Sequence, residues 1–564
     1  MSARRHPRPT SAVPVALLAA ALTLGSAGGG LASSTSSFQV AVAGKKAEKL
    51  LDDWQFDEGR AVITEMVRVA PQSGHTLYVE GYARFLEGDY DGSIHKLSAA
   101  IEVAPTDTTV RQLHMLATAA RDAVKDHKEE RSAHFLIRYP AEDAVLVSYA
   151  LEALESAYLA LDHDLGFKSS MPIRVEIYRS PSDLAAVSSL SVAEVARTGT
   201  IALCKWARLM VTTPRALSYG YPWLDSINHE LVHYAVSSLT RDRAPVWLQE
   251  GLAKFLERRW REPAGGRIPP SMEHLLAKAL RAGKLISFEA MHPSMAKLPS
   301  AEDASLAFAE VANAVAYMHN VGGMPAVRAA VEKVGLGQDA RLAVAAATKV
   351  TWLEFDHGWR AFMQAQHYRT YAAIDIPTTH IRKANAIASK RKPNEDEALS
   401  ASQKIAPAYR FLRLGNMMLK RNRLRAAVIE YEKGARAGGD KATAGKAGGA
   451  GHGEAAAHWV FPVKLGRTYL ALGEPERALK AMAGVQVLYP ELPWPNLIAG
   501  QALLATGDIP GSVVALRAAL ATNPFDPAVH CGLATAYARL PAGTSRPPPA
   551  TIEREQRYCR ELAE

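Results

Sequence analysis

Apolar residues recur along this chain at two spacings, and the places where the spacing changes divide it. Leu224, Ile227, Leu231, Val232 and Ala235 fall in a helical rhythm, which predicts a helix with one buried face. Pro245 opens a second helix whose apolar side is Val246, Leu248, Leu252, Phe255 and Leu256. Ahead of both, the runs 133–139, 173–178, 200–204 and 209–213 predict strands, with a helix over 145–162 after the first. Asp162-His163-Asp164 ends that helix just before Gly166 and reads as a solvated helix end rather than a metal site. The two outer regions are helical and repeat with a period of 34 residues. Phe56 matches Tyr90 and Pro71 matches Pro105; later, Gly466 matches Gly500, Gly473 matches Gly507 and Pro490 matches Pro524. Such a period predicts stacked helix pairs, in which small residues let two helices approach, large ones fill the gap and proline stops the second helix.

At 564 residues the chain exceeds a single core, and a span of about 150 residues per domain suggests three or four. Its start is different in kind. Arg4, Arg5 and Arg8 precede an uncharged stretch with an apolar centre over 13–24, then the triplets Gly25-Ser26-Ala27 and Gly30-Leu31-Ala32. That order predicts a secretory signal peptide over 1–32, with an uncleaved membrane anchor as the second reading. Three cysteines, Cys204, Cys531 and Cys559, permit at most one internal bridge, and position favours Cys531–Cys559. Cys204 reads as an apolar filler rather than a nucleophile. The net charge of +9 is concentrated, with twelve Lys/Arg against three acids between His380 and Arg425. This run reads first as a solvated linker face and second as a patch for an anionic envelope surface. No nucleic-acid-binding module is recognisable, so nucleic acid is not expected as a partner. Glycine-rich 438–457 predicts a flexible insertion.

One segment carries chemistry. In His229-Glu230-Leu231-Val232-His233 two imidazoles lie about one turn apart on one helix face, with Glu230 beside them to handle a proton. Catalytic zinc takes three protein ligands and keeps a position for water. His229, His233 and a carboxylate from the second helix would complete that set. Glu250, which follows His233 after sixteen intervening residues and lies among apolar neighbours, is the best-placed candidate. An unpaired buried carboxylate is costly, and a metal is one of the few partners that would justify it. Glu257, two turns further on, is a candidate to orient a ligand from behind.

His-Glu-x-x-His followed by Trp247-Leu248-Gln249-Glu250-Gly251-Leu252-Ala253 resembles the peptidase MA-like domain, a gluzincin-type group of zinc metallopeptidases. The resemblance covers 131–372, and its specific part is 229–257. It implies a zincin-like α+β domain with a small mixed sheet ahead of the zinc helix. It also implies one Zn²⁺ held by His229, His233 and Glu250, with Glu230 as general base in peptide-bond hydrolysis. There is one departure. Family members often carry a Tyr in an Ala-Tyr-x-x-Ser helix, where this chain reads Ala307-Phe308-Ala309-Glu310-Val311. Another donor, Tyr317 or Tyr234, would then have to stabilise the oxyanion. A group of periplasmic quality-control metallopeptidases also joins the zinc pentapeptide to helical repeats, but with a third ligand much further downstream; the close Trp-Leu-Gln-Glu-Gly run argues against it.

The outer regions resemble tetratricopeptide repeats through Leu465, Gly466, Tyr469, Gly473, Ala478 and Pro490, and through Gly81, Gly88, Tyr90, Leu97, Ala100 and Pro105. Leu414, Gly415, Ala427 and Tyr431 suggest another unit, and 533–540 a partial last one. The expected architecture is multidomain and mainly α, a central α+β zincin-like domain flanked by α-solenoid repeats. Its parts are signal peptide 1–32, N-terminal repeats 45–130, peptidase domain 131–372, basic linker 373–405, C-terminal repeats 406–540 with insertion 438–457, and tail 541–564. The expected function is an exported, periplasmic or extracellular zinc metallopeptidase acting on a protein or peptide substrate. Its C-terminal repeats are expected to recruit a protein partner or present substrate, moving relative to the peptidase on the basic linker. The rival expectation, resting on Phe308, is a catalytically inactive repeat scaffold of the cell envelope.

Overall fold

The computed structural model of this chain describes residues 31–265, 268–371, 374, 408–439, 459–541 and 546–564. The signal peptide as far as residue 30, the basic linker apart from Ile374, and 440–457 of the insertion lie outside the described residues. The chain divides after Thr118 into two compact units.

The first unit is built of helix pairs. Helix α1 (Leu31–Asp52) pairs with α2 (Phe56–Val69), α3 (Gly74–Glu87) pairs with α4 (Tyr90–Val103), and α5 (Thr108–Val124) follows. The sequence period has a structural counterpart, since buried Phe56 and Tyr90 each open the second helix of a pair, and Leu97 fills the space over Gly81. The hydroxyls of Tyr78 and Tyr82 donate to Glu48 and Asp52 at 2.7 and 2.8 Å and tie α3 to α1.

The second unit begins with a sheet. Strands β1 (Lys128–Arg131), β2 (Phe135–Tyr139), β3 (Ile173–Tyr178), β4 (Ala202–Lys205) and β5 (Arg208–Thr212) lie in the order β1-β2-β3-β5-β4. The three inner strands are parallel and both edges are antiparallel. Four of the five strands were legible. β1 reads Lys-Glu-Glu-Arg and is exposed throughout, so it offers no apolar alternation, and its charge guards an open edge. The domain therefore starts a few residues before 131. Alternation along β3 sends Ile173, Val175 and Ile177 to one face and Arg174, Glu176 and Tyr178 to the other. Glu176, buried on that second face, accepts from Arg208 at 2.9 Å.

Helix α6 (Ala144–Leu165) follows β2. It is long and apolar enough to cross a membrane, but Leu146, Ala150, Leu154 and Leu161 are buried in the domain core. Its end fits the solvated reading at Asp162 and His163 but not at Asp164, which is buried and pairs with Arg259 at 2.6 Å. Short helices α7 (Pro181–Ala186) and α8 (Val192–Thr198) lead to β4. Six helices come after β5: α9 (Trp223–Thr240), α10 (Val246–Leu256), α11 (Pro270–Ala282), α12 (Ala301–Gly335), α13 (Ala340–Thr348) and α14 (Trp352–Ala365).

In α12, Glu310 is fully buried, with both carboxyl oxygens 3.1 Å from the Ile286 amide. Burial pushes this carboxyl up to about 8 from its ordinary 4.5. The folded state resists ionisation that the unfolded chain accepts, so stability falls as pH rises between those values. Glu310→Gln keeps the acceptor and should raise the melting temperature more at about pH 8.5 than at about pH 5. Equal shifts at the two pH values would show that this carboxyl is not linked to stability.

Among the described residues beyond the linker stand four helix pairs: α15 (Tyr409–Lys420) with α16 (Leu424–Gly439), α17 (Val460–Ala471) with α18 (Pro475–Leu488), α19 (Pro493–Thr506) with α20 (Ile509–Leu520), and α21 (Pro527–Arg539) with α22 (Pro549–Glu561). Arg410, Arg413, Lys420, Arg421, Arg423 and Arg425 are exposed on the first pair, as a solvated basic face requires.

Two expectations change here. Within the expected tail, 549–561 is not loose, because α22 packs on α21, buries Glu555 and Tyr558, and is joined to it by the Cys531–Cys559 disulfide. The helix was hidden by its composition, which has six charged residues among thirteen and few apolar positions. Nor does the array stand clear of the domain that carries the sheet. Tyr149 of α6 donates to Glu555 of α22 at 2.7 Å, and Trp223 at the start of α9 donates to the Leu520 carbonyl at 3.3 Å.

Candidate metal centre

Helix α9 is buried on most sides. Along its first three turns Ser226, His229 and His233 are the partly exposed positions, three and four apart, while Leu224, Ile227, Leu231, Val232 and Ala235 are buried as the pattern predicted. One stripe of the helix is therefore left for polar side chains. Helix α10 starts after Pro245, whose fixed φ suits a helix entry. Two residues around Glu250 explain the local sequence. Trp247 stacks on Phe288 with ring centroids 4.6 Å apart and meets Trp352, which anchors the first turn. Gly251 lets α12 approach, since a Cβ there would lie 2.7 Å from the Val311 carbonyl oxygen.

These helices bring together three of the residues singled out in the sequence. Glu250 Oε2 lies 3.3 Å from His229 Nε2 and 3.4 Å from His233 Nε2, and the two nitrogens are 3.1 Å apart. Among the described residues this is the one group of three such side chains whose ligand atoms lie within 4.8 Å of one another. The side chains keep 15%, 15% and 22% of their exposure, so the cluster opens to solvent on one side.

The far side of each ring is held. His229 Nδ1 is 3.1 Å from Glu257 Oε2, and Glu257 in turn takes Lys254 at 2.7 Å. His233 Nδ1 is 3.3 Å from Gln249 Oε1. Gln249 donates to Ser237 at 3.1 Å, and Ser237 donates to Asp242 at 2.9 Å. With both Nδ1 atoms turned to acceptors, both Nε2 lone pairs are free to point at a common cation.

The electrostatics agree. Burial opposes charge on His229, yet Glu250 and Glu257 outweigh it and push the imidazole up to about 10. Burial likewise opposes charge on Glu250 and Glu257, but the histidines hold Glu250 well below the usual range, and Lys254 with His229 hold Glu257 at about 2. Glu250 Oε2 is buried with no hydrogen-bond partner, aimed at the two Nε2 atoms. Two imidazole nitrogens and a carboxylate oxygen converging with one orphaned acceptor fit Zn²⁺.

Glu230 is buried on the same helix, and its carboxyl accepts from the backbone of Cys204 in the edge strand β4. Burial raises its pKa, partly countered by the two histidines. Cys204 itself is a free, half-buried thiol. Phe308 stands edge-on to His229 at 6.5 Å between centroids. The proposed replacement donors are engaged elsewhere: Tyr317 packs between Phe355 and Phe362, and the Tyr234 hydroxyl lies 3.4 Å from Ser169 Oγ. Gln249 was missed in the sequence, because its place beside Glu250 does not say which way its amide turns.

Glu257→Ala should weaken zinc binding about 10–100-fold, the usual effect of losing an outer partner. A chelator competition titration reads this directly, and an unchanged affinity would remove Glu257 from the ligand-orienting role.

A pair of histidines on one helix, a carboxylate from the next and a small mixed sheet ahead of them define a zincin-like domain, the type found in metallopeptidases. Residues 153–365 match the Peptidase MA superfamily, and this matched segment lies between the helix pairs on either side. Among solved structures the chain is similar to yeast Tom70, with 10% identity and a TM-score of 0.20 over 93% of this chain and 84% of that one. It is also similar to the APC/C hetero-tetramer Cut9-Hcn1, with 9% identity and a TM-score of 0.22 over 94% and 90%. Naa15/Naa10 bound to HypK-THB gives 11% identity and a TM-score of 0.20 over 94% and 70%. No curated protein matches the chain.

Proposed function

We propose that this protein is an exported zinc-dependent metallopeptidase in which His229, His233 and Glu250 hold one Zn²⁺ and Glu230 is the general base. The observation that carries the reading is the convergence of two Nε2 atoms and the orphaned Glu250 Oε2, with each ring locked from behind. Zinc, when bound, polarises a carbonyl and makes water acidic enough to attack it near neutral pH. Glu230 takes the proton of the attacking water and passes it to the leaving amine. Edge strand β4 runs beside Glu230, so an extended peptide can align its backbone along that edge. The Peptidase MA match supports peptide substrates, and the repeats support protein partners.

Export is part of the same reading. The basic and then apolar start of the chain supports it, as does a disulfide, which persists in oxidising compartments. The mature protein should begin between Gly28 and Ser34, as read by N-terminal sequencing or intact mass. Finding Met1 or Ser2 on the exported protein would point to an uncleaved anchor. Phe308, which brings no hydroxyl to His229, favours a second reading in which the domain binds metal and peptide without cleaving. Metal analysis coupled to a proteome-wide cleavage assay separates the two, since zinc without any cleavage would establish the second.

A further inference from the structure

We propose that the C-terminal repeat array braces the metal helix: the turn 520–525 between α20 and α21 positions the loop 214–222 that launches α9, and through it His229 and Glu230. The catalytic part of this inference rests on the metallopeptidase reading; the positioning part does not.

The contacts between loop and turn are specific. Trp223, the first residue of α9, is 1% exposed and donates its indole N–H to the Leu520 carbonyl at 3.3 Å. The Tyr221 amide donates to the Thr522 carbonyl at 3.2 Å, while the Tyr221 hydroxyl donates to Thr212 at the end of β5. Gly220 has φ +79 and lies so close to the turn that a Cβ would collide with the Thr522 carbonyl oxygen. Arg215 sets its guanidinium 3.8 Å over the Phe525 ring while bonding Asp143 at 3.0 Å. Tyr219 meets Trp494 of α19. Within the turn, Asn523 Oδ1 accepts from the Phe525 amide at 3.2 Å.

His229 is six residues beyond Trp223, about 9 Å along the helix axis, with no break between them. A rigid helix carries a shift at its first turn directly to the ligands. A second contact fixes the array to the same domain: Glu555 of α22 accepts from Tyr149, His530 lies 2.7 Å from Glu555, and Arg554 pairs with Glu152. The segment matching the Peptidase MA superfamily ends at residue 365, so the brace comes from outside the matched domain. Without the turn, the Trp223 indole and the Tyr221 amide would lose their acceptors, and buried polar groups left unpaired are costly. Trp223, Tyr221 and Gly220 are thus positioning residues that act through α9.

The test uses the full-length protein and three variants. Gly220→Ala pushes the loop off the turn, Trp223→Phe removes the indole N–H together with part of the ring while keeping an aromatic side chain, and Val514→Ala, on the exposed side of α20, is the control. Hydrogen–deuterium exchange of the α9 amides and the rate of zinc loss to a chelator are measured beside thermal unfolding. Both loop variants should speed exchange across 223–236 about fivefold or more, the scale of one lost hydrogen bond, with the control unchanged. Zinc loss should speed up in parallel, and kcat should fall with little change in KM. Wild-type exchange across 223–236 in both variants would overturn the brace. Should Gly220→Ala fail to fold, wild-type exchange in Trp223→Phe alone would do so. If the wild-type protein neither binds zinc nor cleaves peptide, the metallopeptidase reading falls while the exchange measurement still decides the brace.

Discussion

Glu230→Gln will keep its zinc and lose peptide hydrolysis by roughly 10²–10⁴-fold, the scale of removing a general base. The amide preserves the shape of a side chain that is buried and bonded to the Cys204 backbone, so the helix around it has no reason to move. It cannot accept a proton. The three converging ligand atoms are untouched, and metal analysis should still find about one zinc per chain. Equal cleavage by variant and wild type would exclude Glu230 as the base. Loss of zinc in the variant would instead show that Glu230 holds the site's structure.

Glu250→Ala should empty the site. It removes the one anionic ligand and the partner of both Nε2 atoms, leaving two imidazoles 3.1 Å apart with no negative charge between them. The loss of affinity should exceed the roughly 10–100-fold expected for an outer partner such as Glu257. Chelator competition with both variants side by side gives the ranking. Full zinc stoichiometry in Glu250→Ala would place the third ligand elsewhere in the chain.

The sequence carried the site further than it carried the assembly. His229, His233 and Glu250 were legible because helical spacing turns four residues into one turn, and because a carboxylate among apolar neighbours needs a partner. Glu257 could be named from the same face of α10. Gln249 could not, since its role depends on which way one amide is turned by Ser237. Strand β1 and helix α22 share a cause: both are rich in charge and poor in apolar positions, and hydrophobic periodicity is silent where an element is held by backbone pairing or by a few buried groups such as Glu555. The docking of the array on the peptidase domain was read the wrong way, as free movement. Its key contacts are backbone carbonyls at Leu520 and Thr522, which any sequence would supply. Gly220, the residue that records their closeness, is indistinguishable in sequence from a loop glycine.

The bond from Trp223 to Leu520 spans 297 residues, and that from Tyr149 to Glu555 spans 406. Contacts so distant along the chain cannot form while it is still being synthesised, because the second partner emerges last. The start of the helix that bears the histidines therefore gains its acceptor at Leu520 only after nearly the whole chain has been made. On the reading proposed above, the metal ligands are braced last.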